Sequence, residues 1–426
     1  MLTTEVERRL EAAILDRLRD EPVLLLQGPR AVGKSVLLDR LARRFGVTVT
    51  DLDNLETRAA VRADPAIFVE GLSPILIDEY QHAAELLDAM KAELNQDLRP
   101  GRFVMTGSTS YSSLPRVAQS LAGRLSRVDV WPLSQGERDG VHETFVADLL
   151  TAPESLVRAE PSTTPRVEYI ERTVAGGYPL ALMRDEPARG RWLDEYVEIV
   201  VERDVVAISR IRQRQELPTL LACLAAQTAQ MLNVSAVALA SGLLPDSAER
   251  YTALLESVFM IHRLPAWGRT LRRRVVGRSK VHMRDSGLAA RLLKLTPEKL
   301  ARKTPSALTE FGHLFETFIV NEILKQASWL DQRPTAGHWR THAGEEVDLV
   351  LEASDGGVVG VEITTSTRVA ASDLRGLKQL RDDVGDEFIA GVVLSTGERS
   401  YTVDDRIHVL PADRLWSTRT RPAADR

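Results

Sequence analysis

An eight-residue segment near the N-terminus constrains this chain more than any other feature. Residues 28–35 read Gly-Pro-Arg-Ala-Val-Gly-Lys-Ser and match the pattern G-x-x-x-x-G-K-[ST]. A short apolar run at residues 23–26 precedes the segment, and a helical pattern follows it to about Phe45. In such a strand–loop–helix unit, the loop N–H groups and the positive end of the helix surround a phosphate. The segment therefore predicts a phosphate-binding loop in a parallel α/β sheet.

The residues of this loop have separate roles in the predicted chemistry. Lys34 would reach the β- and γ-phosphates of a bound nucleotide, and the Ser35 hydroxyl would ligate Mg²⁺. ATP and Mg²⁺ are therefore the predicted cofactors. The predicted nucleotide-binding residues run along the loop into the helix: Gly28, Pro29, Arg30, Ala31, Val32, Gly33, Lys34, Ser35 and Val36.

A second apolar run ends in two carboxylates. Residues 74–79 read Pro-Ile-Leu-Ile-Asp-Glu, which is typical of a buried strand whose end lies beside the phosphate loop. We expect Asp78 to hold Mg²⁺ through water, together with Ser35. We expect Glu79 to orient and deprotonate the attacking water. Because a second carboxylate favours hydrolysis over nucleotide binding alone, the chain is predicted to be an ATP hydrolase.

A third apolar run, at residues 103–105, is followed by two hydroxyl side chains, Thr106 and Ser108. Either hydroxyl could sense the γ-phosphate or position the water. The alternative is ordinary turn chemistry at a strand end.

An arginine-rich segment follows, with Arg116, Arg124 and Arg127. An arginine supplied across a subunit interface would neutralise charge in the transition state, and Arg124 is our first choice for that role. The alternative is an arginine on the surface.

Length and composition limit the class of protein. A chain of 426 residues is too long for one core, so two to four domains are expected. No run of about 18 apolar residues occurs, so no membrane span is predicted, and the N-terminus lacks an apolar signal core. The single cysteine, Cys223, fits a reducing cytoplasm. The net charge of -5 argues against a surface that coats nucleic acid throughout, but it permits a local basic patch.

Nine segments along the chain carry a family resemblance. They are GPRAVGKS (28–35), ILIDEYQ (75–81), FVMTGSTS (103–110), LAGR (121–124), WPLSQGE (131–137), GGYP (176–179), ERD (202–204), RDSGL (284–288) and EVDLVLE (346–352). In this order they resemble the bacterial and archaeal AAA-type ATPases that carry a C-terminal domain of unknown function.

The resemblance implies an α/β P-loop NTPase of the AAA+ type, followed by a helical lid, a winged helix and a C-terminal α/β endonuclease-like domain. The corresponding ranges are an ATPase core at 1–133, a lid at 134–215, a winged helix at 216–298, an endonuclease-like domain at 299–416 and a loose tail at 417–426. Within these, residues 299–307 have the composition of a linker. The resemblance also suggests a homo-oligomer, in the form of a hexamer.

A basic stretch follows a predicted helix-turn-helix, whose helices lie near Val234–Ala240 and Ser247–Phe259. Residues 260–284 contain no acidic residue and eight basic residues, of which Arg263 and Arg284 are two. We expect DNA contact through backbone charge. The predicted DNA-contacting residues are Arg269, Arg272, Arg273, Arg274, Arg278 and Lys280. Trp267 and His282 could add stacking, although core packing suits Trp267 better. The alternative is a protein-docking module or a solvated basic face.

The C-terminal region offers the carboxylates of an endonuclease-like site. In such folds, two or three carboxylates hold Mg²⁺ and a lysine activates water. The matching residues are Glu316, Asp348 and Glu362, but Thr364 stands where the lysine is expected. Lys378 is a remote substitute. The departure at Thr364 favours a structural or binding domain over an active nuclease. His338 and His342 lack a third ligand nearby, so zinc is not expected.

These patterns together predict an AAA-type ATPase that hydrolyses ATP to drive movement on DNA or its remodelling. One alternative is a nucleotide-dependent switch or chaperone that docks proteins. A second alternative is a nuclease gated by ATP.

Overall fold

The structure is a computed structural model, and it describes residues 6–83, 85–110, 121–205, 214–270, 277–341 and 343–417. Within these ranges no helix is both long enough and apolar enough to cross a membrane.

A five-stranded parallel sheet forms the N-terminal part of the molecule, with the spatial order β2-β3-β4-β1-β5. This confirms the predicted parallel sheet. The strands are β1 (Val23–Gln27), β2 (Val49–Asp51), β3 (Ile75–Asp78), β4 (Phe103–Gly107) and β5 (Leu125–Asp129). The helices are α1 (Leu10–Arg17), α2 (Lys34–Phe45), α3 (Leu55–Ala63) and α4 (Glu85–Gln96).

Helices cover both faces of this sheet, which explains why its central strands read as continuous apolar runs. Successive side chains of a strand point to opposite faces. Leu24 and Leu26 of β1 therefore join one cluster with Leu38 of α2, whereas Leu25 joins another with Met90 of α4. All five residues of β1 are buried, and so are those of β4. The sheet is thus a rigid support for the loops at its carboxyl end.

The described residues 134–205 are mainly helical, as predicted; residues 206–213 of the predicted range 134–215 lie outside the described residues. A capping box between Ser134 and Glu137 starts the first helix. The last helix continues into a π-helical turn at Val200–Asp204. The helices are α5 (Gln135–Asp139), α6 (Phe145–Thr151), α7 (Arg166–Ala175), α8 (Pro179–Leu182) and α9 (Glu186–Ile199).

Residues 214–301 combine helices with a small antiparallel sheet of order β6-β8-β7. The helices predicted for the helix-turn-helix are both present, as the second and third in this part. Its helices are α10 (Leu217–Ala226), α11 (Val234–Ser241), α12 (Pro245–Ser257), α13 (Ser286–Leu292) and α14 (Pro297–Ala301). Its strands are β6 (Gln230–Met231), β7 (Ile261–Leu264) and β8 (Lys280–Met283).

The C-terminal part has a six-stranded mixed sheet of order β13-β14-β12-β11-β10-β9. One long helix and one short helix accompany the sheet: α15 (Pro305–Ser328) and α16 (Arg375–Val384). The strands are β9 (Thr335–Arg340), β10 (Glu346–Glu352), β11 (Val358–Thr364), β12 (Phe388–Ser395), β13 (Tyr401–Asp404) and β14 (Ile407–Pro411).

The predicted linker at residues 299–307 is mostly helical, so that prediction is wrong. Helix α14 extends to Ala301, and α15 begins at Pro305 after the capping residue Thr304. Proline suits the first helical turn because it lacks only an N–H that has no intrahelical partner there. The composition that suggested a linker is therefore the composition of two helix ends.

The segment that leaves the five-stranded N-terminal sheet is held by charged side chains of α15. Lys325 Nζ donates to the carbonyl oxygen of Leu133 at 2.9 Å. The Gln135 N–H donates to Glu322 Oε2 at 2.8 Å. Lys325 and Glu322 also bond each other at 2.5 Å, and their side chains are 6% and 1% exposed. We call residues 133–137 with Glu322 and Lys325 the junction, because it joins the N-terminal and C-terminal parts of the molecule.

Two further motifs meet at the junction. The Leu133 N–H donates to the carbonyl oxygen of Gly177 at 2.8 Å. The Gly177 N–H donates to Asp285 Oδ2 at 2.7 Å. A side chain at Gly176, where φ is +67°, would place a Cβ 2.3 Å from Asp285 Oδ1. The glycines of this motif are therefore required by close packing.

We expect Lys325→Met to lower the apparent free energy of unfolding by about 3 kcal/mol, because it leaves Glu322 buried without its cation. Urea denaturation followed by circular dichroism measures the change. Lys299→Met is the control, since Lys299 is exposed, and it should leave the midpoint unchanged. Equal midpoints for the two variants would show that the junction does not depend on this ion pair.

Candidate nucleotide-binding site

The loop between β1 and α2 depends on two glycines. At Gly28 a Cβ would lie 2.2 Å from the carbonyl oxygen of Val130, which no side chain could tolerate. Gly33 has φ +95°, a left-handed conformation that favours glycine, and α2 begins at the next residue. The backbone can therefore curl in front of the helix N-terminus, as the motif requires.

Lys34 lies inside the curl of the loop and is 5% exposed. Its Nζ donates to the carbonyl oxygens of Gly28 and Pro29 at 2.9 and 2.8 Å. Burial lowers the pKa of Lys34, and the nearby carboxylates of Glu79 and Asp78 oppose that shift. The ammonium is thus placed between the loop and the acidic pair.

Asp78 and Glu79 stand at the end of β3, beside the loop. Burial raises the pKa of Asp78, although hydrogen bonds with the Ser35 and Thr106 hydroxyls act against this. The contact between Ser35 and Asp78 unites the two residues that were predicted to hold Mg²⁺. Oxygen donors of this kind are those that Mg²⁺ prefers, so this pair fits the predicted ion.

Thr106 positions the acidic pair. Its hydroxyl donates to Asp78 Oδ1 and accepts from the Glu79 N–H at 3.1 Å. Glu79 has φ +52°, which is uncommon for a residue with a side chain and is a conformation found at functional sites. Thr106 was predicted to contact the γ-phosphate or the water. In this structure its hydroxyl forms hydrogen bonds with Asp78 and with the Glu79 N–H.

Gln81 holds the side chain of Glu79. Gln81 Nε2 donates to Glu79 Oε2 and lies 3.4 Å from Ser108 Oγ. Burial raises the pKa of Glu79, but Lys34 and the Gln81 hydrogen bond outweigh it, so that its pKa lies below the ordinary value. Sequence reasoning missed Gln81 as a site residue. Its position two residues after the acid was the available signal.

Arg30 connects the loop with the helical part of the chain. Its Nε donates to Asp204 Oδ2 at 2.6 Å. Burial opposes the charge of Arg30, but Asp204 and Glu79 raise its pKa above the ordinary value. The Tyr196 hydroxyl also lies 3.4 Å from the carbonyl oxygen of Arg30. Asp204 stood in the ERD segment, and only the fold shows that this segment reaches the nucleotide loop.

Arg8 stabilises the backbone of the loop by hydrogen bonding. Its guanidinium donates to the carbonyl oxygens of Val32 and Trp131 at 2.5 and 2.7 Å, and to Glu137 Oε1 at 3.0 Å. It therefore ties the loop to the junction. No sequence pattern pointed to this residue.

Arg124 lies away from the nucleotide loop of its own chain. Its Nη2 donates to Asn95 Oδ1 at 2.7 Å, at the end of α4. A role across a subunit interface therefore stays a prediction. Arg116 lies outside the described residues.

The predicted DNA-contacting residues have different surroundings. The prediction for Lys280 is wrong, because its side chain is 4% exposed and pairs with Glu316 and Asp348. Arg278 is exposed. Arg269 is 55% exposed and lies 3.5 Å from Glu387. Arg272, Arg273 and Arg274 lie outside the described residues.

Other residues of the basic stretch also form contacts within the protein. Arg263 pairs with Glu249 at 2.7 Å and Glu256 at 3.2 Å. The Arg284 guanidinium stacks on the Trp131 ring and is buried. His282 is fully buried and Trp267 is 6% exposed, so neither can stack on a base. Four of the eight basic residues that motivated the DNA prediction therefore have acidic partners or are buried. They are Arg263, Arg269, Lys280 and Arg284.

The C-terminal carboxylates do meet. Glu316 on α15 and Asp348 on β10 share the ammonium of Lys280, at 2.7 and 2.8 Å, and Glu362 lies beside them on β11. Lys378 cannot replace the missing lysine, because it pairs with Asp404 at 2.6 Å. His342 lies outside the described residues, and within those residues no group of three potential ligands is arranged to hold a metal ion.

Three family models match this chain. Residues 20–138 match an AAA domain, residues 166–299 match a domain of unknown function (DUF8612), and residues 311–415 match a domain of unknown function (DUF4143). The uncharacterized proteins Rv2008c of Mycobacterium tuberculosis and Mb2031c of Mycobacterium bovis are each 26% identical over 417 residues, covering 97% of this chain and 85% of theirs.

A more distant relative and one solved structure are also similar. An uncharacterized protein of Haemophilus influenzae is 25% identical over 196 residues, 44% of each chain. The solved structure is titled the Walker-type ATPase PABY2304 of Pyrococcus abyssi. Its sequence is 15% identical to that of this chain. The match covers 68% of this chain and 99% of the solved chain, with a TM-score of 0.35. The AAA-domain match over residues 20–138 agrees with the loop geometry, and both support a nucleotide-binding P-loop domain of the AAA type in the N-terminal part of this chain.

Proposed function

We propose that this chain hydrolyses ATP and that Glu79 activates the attacking water. The observation that carries this proposal is the placement of a second, ionised carboxylate beside Asp78 and Lys34. Because the pKa of Glu79 lies below its ordinary value, the group is a carboxylate at neutral pH and can accept a proton. Gln81 would keep that carboxylate oriented, and Ser108 lies on the other side of Gln81.

The other residues of the site would bind and stabilise charge. Lys34 would exchange its bonds to the loop carbonyls for the β- and γ-phosphate oxygens. Ser35 and Asp78 would hold Mg²⁺, which neutralises phosphate charge when bound. Arg124 of a neighbouring copy would add positive charge at the γ-phosphate, in a homo-oligomer for which a hexamer is our expectation. A cytoplasmic location is part of this proposal.

We expect Glu79→Gln to bind ATP with unchanged affinity and to lose at least a hundredfold in ATPase rate, because the amide cannot accept the proton. Lys34→Ala should lose ATP binding. A fluorescent ATP analogue measures binding, and phosphate release measures turnover. Glu85→Gln is the control, since Glu85 is an exposed acid that begins α4. Wild-type turnover in Glu79→Gln would show that another group is the base.

We propose further that the hydrolysis drives movement on DNA or its remodelling. The support is the acid-free stretch at residues 260–284, of which Arg278 and Arg269 are exposed in the structure. Arg263 and Lys280 pair with acidic residues of this chain, so the proposed DNA-binding residues are limited to those between them, at positions 269–278. DNA would be held there by backbone charge.

Reversing the charges of Arg272, Arg273 and Arg274 to glutamate should abolish DNA binding. Binding by the wild type should weaken steeply as salt rises. Fluorescence anisotropy with single-stranded, duplex and branched DNA at several salt concentrations measures both effects. A variant with Arg19, Arg302 and Arg399 changed to glutamate has the same net charge, and these three arginines are exposed elsewhere. Equal DNA binding by the two variants would contradict the proposal.

A nucleotide-dependent switch that docks proteins is the second candidate. The contact between Arg30 and Asp204 favours it, because it links the phosphate loop to the turn that ends α9. A second link runs from the end of β4 to the end of α12, where the Ser110 N–H donates to the carbonyl oxygen of Ser257 at 2.8 Å. Through both contacts, nucleotide binding would change the conformation of other parts of the chain. This function would not require DNA.

For the switch, we expect ATP binding to change hydrogen exchange in residues 186–204 and Asp204→Asn to remove this change. The Glu79→Gln background prevents turnover during the measurement. Asp194→Asn is the control, because Asp194 lies on the same helix and pairs with Arg291 at the surface. An identical response in Asp204→Asn and Asp194→Asn would exclude this route.

A further inference from the structure

Three carboxylates and one ammonium meet where the small antiparallel sheet touches the C-terminal sheet. Leu349 of β10 pairs with Val361 of β11, so the neighbouring residues Asp348 and Glu362 are also opposite each other. Glu316 approaches from α15. Lys280 enters from β8, a strand of another sheet, and its Nζ lies 2.7 Å from Glu316 Oε1 and 2.8 Å from Asp348 Oδ1.

The cluster is largely buried, and one ammonium lies between two of its carboxylates. The side chains of Lys280, Glu316 and Asp348 are 4%, 12% and 7% exposed. Burial opposes the charge of Lys280, but Asp348 and Glu316 outweigh it and raise the pKa of the ammonium above its ordinary value. Burial, together with the nearby Asp348 and Glu316 carboxylates, raises the pKa of Glu362 well above its ordinary value. The ammonium is therefore the cation that this cluster requires.

We infer that the Lys280 ammonium takes the place of a divalent cation in the carboxylate cluster, and that it thereby fastens the start of β8 in the β7–β8 hairpin to the C-terminal sheet. Lys280 supplies the charge whose absence at Thr364 was evident in the sequence. It does so from a different position and with a different result, because it bonds the two carboxylates that a metal ion would use.

Geometry supports exclusion of a metal ion. Divalent cations require carboxylate oxygens at about 2.0–2.6 Å, and the ammonium engages oxygens of both acids. Asp348 Oδ2 is also used, since it accepts the Ile363 N–H at 3.0 Å. A second cation a few ångströms from the ammonium would be repelled strongly in this buried site.

The fastening continues along α15, one turn after another. Thr317 Oγ1 lies 3.1 Å from His282 Nδ1. Asn321 Nδ2 donates to the carbonyl oxygen of Met283 at 2.9 Å, and Asn321 Oδ1 lies 2.9 Å from His262 Nε2. The same face of α15 therefore holds both strands of the hairpin, and Lys280 is the charged end of this polar seam. Movement of α15 would carry the hairpin with it.

A double-mutant cycle on Lys280 and Asp348 tests the pairing. We expect Lys280→Met to lower the urea midpoint of the full-length protein, because it leaves Asp348 buried without its cation. The fall should be smaller in an Asp348→Asn background, where that charge is absent. Lys378→Met is the control, since Lys378 pairs with Asp404 but is 42% exposed. Additive effects of Lys280→Met and Asp348→Asn would overturn the inference.

Manganese binding gives an independent test that does not require the Lys280 variant to fold. Thermal unfolding of the wild type and Asp348→Asn is followed with increasing Mn²⁺ and no nucleotide. The inference predicts the same Mn²⁺-dependent shift in both proteins, since the cluster has no place for the ion. A shift in the wild type that Asp348→Asn removes would show a metal site and overturn the inference. Neither result depends on the proposed ATPase or DNA functions.

Discussion

A buried ion pair on one helix, Glu322 with Lys325, is the contact on which the arrangement of the chain depends. Backbone N–H and carbonyl groups leave the sheet unpaired where β5 ends, and such groups must find partners when they are buried. The two charged side chains provide these partners and neutralise each other in the same place. The C-terminal helix is consequently held against the segment that follows the ATPase sheet.

The phosphate loop is linked to the junction as well. Arg8 donates at once to the loop, to Trp131 and to Glu137, so the loop backbone and the junction share one guanidinium. A planar group with five donors can do this, whereas a lysine could not reach all three acceptors in a fixed geometry. The loop backbone at Val32 and the junction residue Glu137 are therefore joined through one side chain.

Several charges of the basic stretch at residues 260–284 form contacts inside the protein. Arg263, Lys280 and Arg284 come from one acid-free stretch, and the first two find carboxylates on other elements. Arg284 lies over the Trp131 ring. A local excess of positive charge in a sequence is thus no measure of the positive charge at the surface, since folding supplies the partners.

The sequence by itself determined the nucleotide loop, the acidic pair and the central strands, because those features are local. A glycine pattern, an apolar run and two adjacent acids need no distant partner to be recognised. Only the tertiary structure decided that Asp204 reaches Arg30, that Arg8 braces the loop and that Lys280 fills the carboxylate cluster. Each of these contacts joins residues more than twenty positions apart, and its existence depends on how separate elements pack, which no local pattern records.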